Sequence, residues 1–418
     1  MVVIRKRLVA FVFAAAMSIA PTARAEQGTT PVVFDADLTV GAGASIAAVA
    51  GEAVARAEES FVPARLFAER GVAPRTANVA YRVAKIALFD LPQEQWFMVV
   101  NHEVFGHGGR LRELFDGPIG YSIDAPAPYG SGGGSTSFTF DREPSLHELL
   151  AVSAGGMEAD GVAASLLTDR AFSEARLRPR DAMRYLGFEL DVLTYVWSTD
   201  DEPEEPGHDV SDFLQTYNEL AQRVGAPPTD ARALRREALA GLANPMLAYA
   251  AYSIGRYLWS GAADVRVPTL SIAGVRYLPL VRYGLTPYGT EWALVNQLGG
   301  PLRSADVVLR VGRSPLTTPW GIGVRQRDLA RWRSWRLDVG IDVWRQPDLA
   351  SGDESTVSAR MGSEVSARAE RPIVPVWFSS SQASVIVDVG VKSRGFVPGE
   401  PLRGGFVFRA GVGLPLVP

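Results

Sequence analysis

The stretch Trp335-Arg336-Leu337-Asp338-Val339-Gly340-Ile341-Asp342-Val343 sets apolar residues at every second position, with polar residues or glycine between them. Successive side chains of a strand leave on opposite sides, so a period of two marks a strand with two unlike faces. The pattern returns in Val385-Ile386-Val387-Asp388-Val389-Gly390-Val391-Lys392 and, less regularly, from Phe406 to Leu414. Eight such strands are expected, near 274–285, 288–298, 303–313, 318–327, 332–346, 354–368, 380–393 and 404–415, with Gly, Pro, Asp and Ser at the turns between them. They are long, and charged residues and glycines recur opposite the apolar side. An outer-membrane barrel has this pattern, with apolar side chains toward lipid and polar ones toward the lumen. Tyr277, Tyr283, Tyr288, Trp292, Trp320, Trp335, Trp344, Phe406 and Phe408 could form its interfacial girdles. A water-soluble antiparallel sheet with one wet face would share the period.

Before about residue 265 the apolar residues recur at helical spacing instead. Helices are expected around 45–58, 61–69, 76–89, 92–115, 143–172, 180–198, 209–224 and 230–260. Asp90 with Pro92 should open the helix over 92–115, Ser145 with Glu148 forms a capping-box start, and Thr229 and Asp230 are two N-cap candidates. The expected fold class is segregated α+β. An all-helical domain over 26–265 precedes an antiparallel barrel or sheet of about eight strands over 266–418. The most apolar helix, Leu239 to Trp259, contains Asn244-Pro245 and Arg256, which predicts a buried or interfacial helix rather than a membrane span.

The ends and the composition add bounds. Arg5-Lys6-Arg7, the apolar run Leu8 to Ile19 and the small-x-small site Ala23-Arg24-Ala25 read as a secretory signal over 1–25. The expected location is therefore the outer membrane or periplasm of a Gram-negative bacterium. The chain has no cysteine, which excludes thiolate ligands, disulfides and thiol nucleophiles. Its net charge of −4 gives no argument for nucleic-acid binding.

Chemistry concentrates in Asn101-His102-Glu103-Val104-Phe105-Gly106-His107-Gly108. Two of the chain's four histidines flank a glutamate there. Imidazoles hold zinc, and the glutamate can accept a proton from a zinc-bound water. The common zinc-hydrolase spacing is H-E-x-x-H, with both rings on one helix face. Here the rings stand at i and i+5, about 140° apart on an ideal α-helix. One metal can take both only if the helix is locally widened, and Gly106 is the residue type that permits it.

H-E-x-x-G-H resembles the zinc motif of the dipeptidyl peptidase III family, a gluzincin-type metallopeptidase group. The resemblance covers two short segments. It implies zinc held by His102, His107 and a downstream glutamate, here Glu158, which lies 51 residues after His107, with Glu103 as general base. The second segment departs from that family's pattern, with Met157 ahead of Glu158 and neither Cys nor Arg after it. The metal site is carried over, and the dipeptidase activity is not.

Around this site Asp160 could orient a ligand histidine. His147 reads first as a plain histidine, with an auxiliary role as the alternative. Tyr185, Tyr195, Tyr252, Tyr257 and His147 are candidate donors to a developing oxyanion. The glycine-rich loop over 121–142 could be a linker or a flap beside the site. The acidic run Thr199 to Asp209 reads as a solvated turn. The expected function is zinc-dependent hydrolysis of a peptide or protein substrate by an exported protein in contact with outer-membrane lipid. The alternative is a non-catalytic barrel with a helical plug or metal-binding domain.

Overall fold

A computed structural model describes residues 29–61, 75–199, 207–299, 304–349, 359–375 and 382–415. The signal segment 1–25 and nearly all of the helix expected over 61–69 lie outside them.

The eight long strands are present: β7 (Val275–Thr286), β8 (Gly289–Gly299), β9 (Ser304–Arg313), β10 (Trp320–Trp332), β11 (Trp335–Pro347), β12 (Ala359–Pro375), β13 (Gln382–Lys392) and β14 (Gly405–Pro415). They form an antiparallel meander extended at both ends, by β6 (Leu270–Ile272) beside β7 and by β1 (Thr29–Phe34) beside β14. Three expectations change here. The sheet has ten strands rather than eight. It is open, because its end strands β1 and β6 are not paired with each other. The fold is also not cleanly segregated, since the first described strand completes the C-terminal sheet. Within the helical part, β2 (Ile119–Ile123) and β3 (Gly134–Phe138) make a hairpin, and β4 (Arg176–Leu177) pairs with β5 (Val265–Arg266).

The two faces of the sheet differ in polarity. Across register-matched positions of one face, Leu294 lies beside Leu309, Leu309 beside Ile322 and Ile322 beside Val343. A second row runs through Val324, Ile341, Val365, Val391 and Phe406. Of these, Val365, Val391 and Phe406 are 54%, 62% and 70% exposed. The opposite face buries charge. Arg310 donates to Asp342 at 3.1 Å, Arg368 to Asp388 at 2.7 Å, and Arg409 binds both oxygens of Glu400. Burying ions while exposing a continuous apolar band is unfavourable in water.

The helices are α1 (Val40–Phe61), α2 (Arg75–Lys85), α3 (Leu91–Val100), α4 (Gly108–Leu114), α5 (Leu146–Glu174), α6 (Pro179–Ser198), α7 (Asp209–Arg223), α8 (Ala231–Ala238) and α9 (Pro245–Ser260). Ser145 and Glu148 close the expected capping box on α5, and Asp230 caps α8. Asp90 does not cap. The chain stays helical through a π turn over Ile86–Asp90, and the Asp90 carboxylate instead meets Lys85 and Arg180. The helix expected over 230–260 breaks before Pro245, which cannot donate to the preceding turn, and Asn244 caps the new start. Among the described residues no helix is long and apolar enough to cross a membrane.

α5 is the central element. Its Ala163, Ala164, Leu167 and Phe172 pack with α1, α6, α9 and β7 in one core. Its Leu146, Leu150, Ala154 and Met157 pack with α6, α7, α8 and β7 in a second. The segment between β13 and β14 locks the sheet to the helices, with Gly399 N–H donating to Glu158 at 2.8 Å and Arg110 donating to the Glu400 carbonyl at 3.2 Å.

Candidate metal centre

Between α3 and α4 the helix widens into a π segment over Asn101–His107, closed by an N–H bond from Gly108 to the carbonyl of Glu103, five residues back. Residues five apart then lie one above the other, and the His102 and His107 ring centroids come within 4.9 Å. Glycine is needed on both sides of the crossing with α5. A Cβ on Gly106 would lie 2.5 Å from Gly156 Cα, and one on Gly156 would lie 2.2 Å from His102 Nε2. We expect Gly106→Ala to cost about 1–3 kcal/mol from overpacking against backbone. It should also weaken metal binding, because the helix that must shift carries both histidines. Thermal unfolding and metal titration check this, and an unperturbed variant would mean that the crossing is looser than described.

His107 donates from Nδ1 to the Val152 carbonyl at 2.7 Å, which leaves Nε2 with its lone pair free of a proton in the neutral ring. That nitrogen lies 3.2 Å from Asp209 Oδ2, and His102 Nε2 lies 2.9 Å from the same oxygen. Asp209 opens α7, where the positive end of the helix dipole favours a carboxylate. The Nδ1 side of His102 faces two further acids, Asp160 and Asp191, each at 3.2 Å. His102, His107 and Asp209 form one group able to hold a metal ion, and His102, Asp160 and Asp191 form another.

Glu158 does not join them. Arg110 grips its carboxylate through Nε at 2.9 Å and Nη2 at 2.5 Å. The expected ligand is thus a buried structural anion, on a different side of α5 from the face that meets His102. Asp160, two residues further on, does face His102 and also accepts from Asn101 Nδ2 at 2.7 Å. His147 is buried elsewhere and donates to the Pro287 carbonyl at 2.9 Å. Glu103 is buried beside the cluster and accepts from Thr136 Oγ1 of β3 at 2.6 Å, so the glycine-rich loop belongs to a hairpin laid over this residue.

Of the candidate tyrosines only Tyr195 reaches the cluster, stacked on the His102 ring at 5.1 Å. Burial raises its pKa, so its hydroxyl keeps its proton near neutrality. Tyr185 accepts from Asn244, Tyr252 is exposed, and Tyr257 lies among Asp90, Tyr81 and Glu58. Asp191, which the sequence reading does not single out, stands with Tyr195 at i and i+4 on α6. That i, i+4 spacing is the available signal. Asp209 reads in the sequence as no more than the last member of an acidic run.

The electrostatics make this a site where protons and cations compete. Burial alone would lower the pKa of His102, but Asp191, Asp160 and Asp209 raise it well above its ordinary 6.5. His107 rises too, against burial, because of Asp209. Burial and Asp191 push Asp160 up to about 8. Despite burial, His107 and His102 hold Asp209 well below the ordinary carboxylate range. The raised groups bind protons more tightly folded than unfolded. Their contribution to stability is therefore lost as pH rises, from 6.5 for the histidines and through about 8 for Asp160. Metal-free protein should show a falling melting temperature between pH 6.5 and about 8, and a bound divalent cation should restore it by replacing the lost protons. A metal-free melting temperature that rises over this window would contradict these assignments. Asp209 acts oppositely, and its contribution is lost only in acid, below its ordinary 3.8.

Compared with protein-family models, curated proteins and solved structures, the chain matches none.

Proposed function

We propose that the protein is a zinc-dependent hydrolase of peptide bonds whose sheet faces lipid. The observation that carries the first half is the convergence of two imidazole Nε2 atoms and the Asp209 carboxylate, with the His107 tautomer set by Val152. Two nitrogens and one oxygen suit a borderline divalent ion and leave a fourth position open. Zinc bound there would supply a Lewis acid and a water of lowered pKa. Glu103 lies outside the ligand set but beside His102, where it can accept a proton and return it to a leaving amine. Thr136 orients it. Tyr195, protonated and stacked on His102, is the donor available to a developing oxyanion.

The second half rests on the apolar band across β8 to β14 set against a charged inner face. Open edges are excluded from hydrocarbon unless covered. Part of the β1 edge is covered, since Ser45 of α1 takes the Val33 N–H at 3.0 Å. The location proposed is therefore the outer membrane, reached by export.

Elemental analysis and fractionation test the two halves separately. Purified protein should carry zinc that His102→Ala loses, and the full chain should sediment with outer membranes and resist high-salt extraction. Recovery in the soluble fraction would remove the lipid contact and leave the hydrolase standing.

A further inference from the structure

We propose that a second cation site lies on the far side of the His102 ring, formed by His102 Nδ1, Asp160 and Asp191 with the Asn101 amide bonded to Asp160, and that it takes a second divalent cation, so that His102 bridges two ions. This rests on the reading of the first site above.

The two acids stand at the same distance, 3.2 Å, from one ring nitrogen. A single Nδ1–H cannot serve both. Only Asp160 lies in hydrogen-bonding geometry, and it already accepts from Asn101 Nδ2 at 2.7 Å. Asp191 Oδ2 is left buried with no donor, and so is the Asn101 amide oxygen, in residues 5% and 0% exposed. Without a cation in this place, the buried Asp191 carboxylate has only the His102 ring, which it shares with Asp160, to offset its charge. Ligands about 2.1 Å from a common ion and roughly 100° apart are separated by about 3.2 Å, the spacing seen here. An imidazole nitrogen with two carboxylates suits zinc or manganese.

The charges balance. Neutral His102 carries one ring proton. Coordination at both nitrogens releases that proton, together with any held by Asp160, to water and leaves an imidazolate, and the imidazolate with Asp209, Asp160 and Asp191 opposes two divalent ions. The site has no route through Glu103, so it would fix the His102 ring and the charge on the first ion rather than enter proton transfer.

The number of ions bound per chain tests the second site. Metal-free full-length protein is dialysed against zinc and, in parallel, cobalt(II), and metal per chain is measured. Two equivalents are expected, with Asp191→Asn retaining one. Two cobalt ions sharing an imidazolate should also be magnetically coupled, and the variant should show the uncoupled signal of a single ion. One equivalent in the unaltered chain overturns the second site and leaves the first. A second equivalent kept by Asp191→Asn also overturns it, as adventitious binding. No bound metal overturns both sites. If the variant fails to fold, the metal count and the magnetic coupling of the unaltered chain still separate two bridged ions from one.

Discussion

Glu103→Gln should abolish turnover while leaving zinc content unchanged. Glutamine preserves the size of the side chain and can still accept the hydrogen bond from Thr136 Oγ1, so the β2–β3 hairpin should stay in place over the π segment. What it removes is the ability to take a proton. A positioned general base contributes about 10²–10⁴-fold to rate, so kcat should fall by that factor with KM little changed. The measurement is single-peptide turnover of metal-loaded protein, with zinc per chain determined on the same sample. Turnover that survives the change would assign the proton to another group. Zinc lost along with activity would make Glu103 a ligand or a support of the ligands, against its place outside both metal-holding groups.

The parts of the fold that the sequence makes legible are those governed by local periodicity. Alternation over Trp335–Val343 and its repeats locates six of the eight long strands to within three residues, because a sheet with two unlike faces writes its register into the chain, while β10 and β12 run five and seven residues past their expected ends. The i, i+5 spacing of His102 and His107, with Gly106 between them, predicts a widened helix, and a π segment spans Asn101–His107. Contacts between distant segments are not legible. Nothing local says that Thr29–Phe34 pairs with β14, at the far end of the chain. The choice of Glu158 over Asp160 turns on two positions of one helix, about 200° apart in azimuth. Arg110, which claims Glu158, carries no mark in the sequence beyond its own charge. Asp209 is hidden differently. It ends an acidic run, and only the start of α7 at that residue turns its carboxylate inward to the histidines.

That ambiguity gives the second large effect, a crossed comparison of two carboxylates. Asp209→Ala should lose zinc while keeping the fold. It removes the one group that both Nε2 atoms approach, and two imidazoles alone make a weak site. The fall in affinity should exceed the roughly 10–100-fold cost of losing a hydrogen-bond partner of a ligand. Metal-free Asp209→Ala should also release protons from His102 and His107 at lower pH than the parent, since Asp209 helps raise both. Glu158→Gln should do the reverse. It breaks a buried pair in which Arg110 makes two bonds to one carboxylate and Gly399 N–H a third. Arg110 keeps Glu113 as a second buried partner at 2.6 Å, so the cost should fall below the roughly 3–5 kcal/mol of a fully orphaned buried charge. The variant should therefore melt below the parent, and whatever fraction folds should hold its full zinc. Calorimetry with and without zinc separates the outcomes, because a variant that keeps its site still gains stability from the metal and one that has lost it does not. If instead Glu158→Gln loses zinc at unchanged stability and Asp209→Ala keeps it, the acid gripped by Arg110 is the ligand after all, and the convergence on Asp209 Oδ2 belongs to the protonated, metal-free site alone.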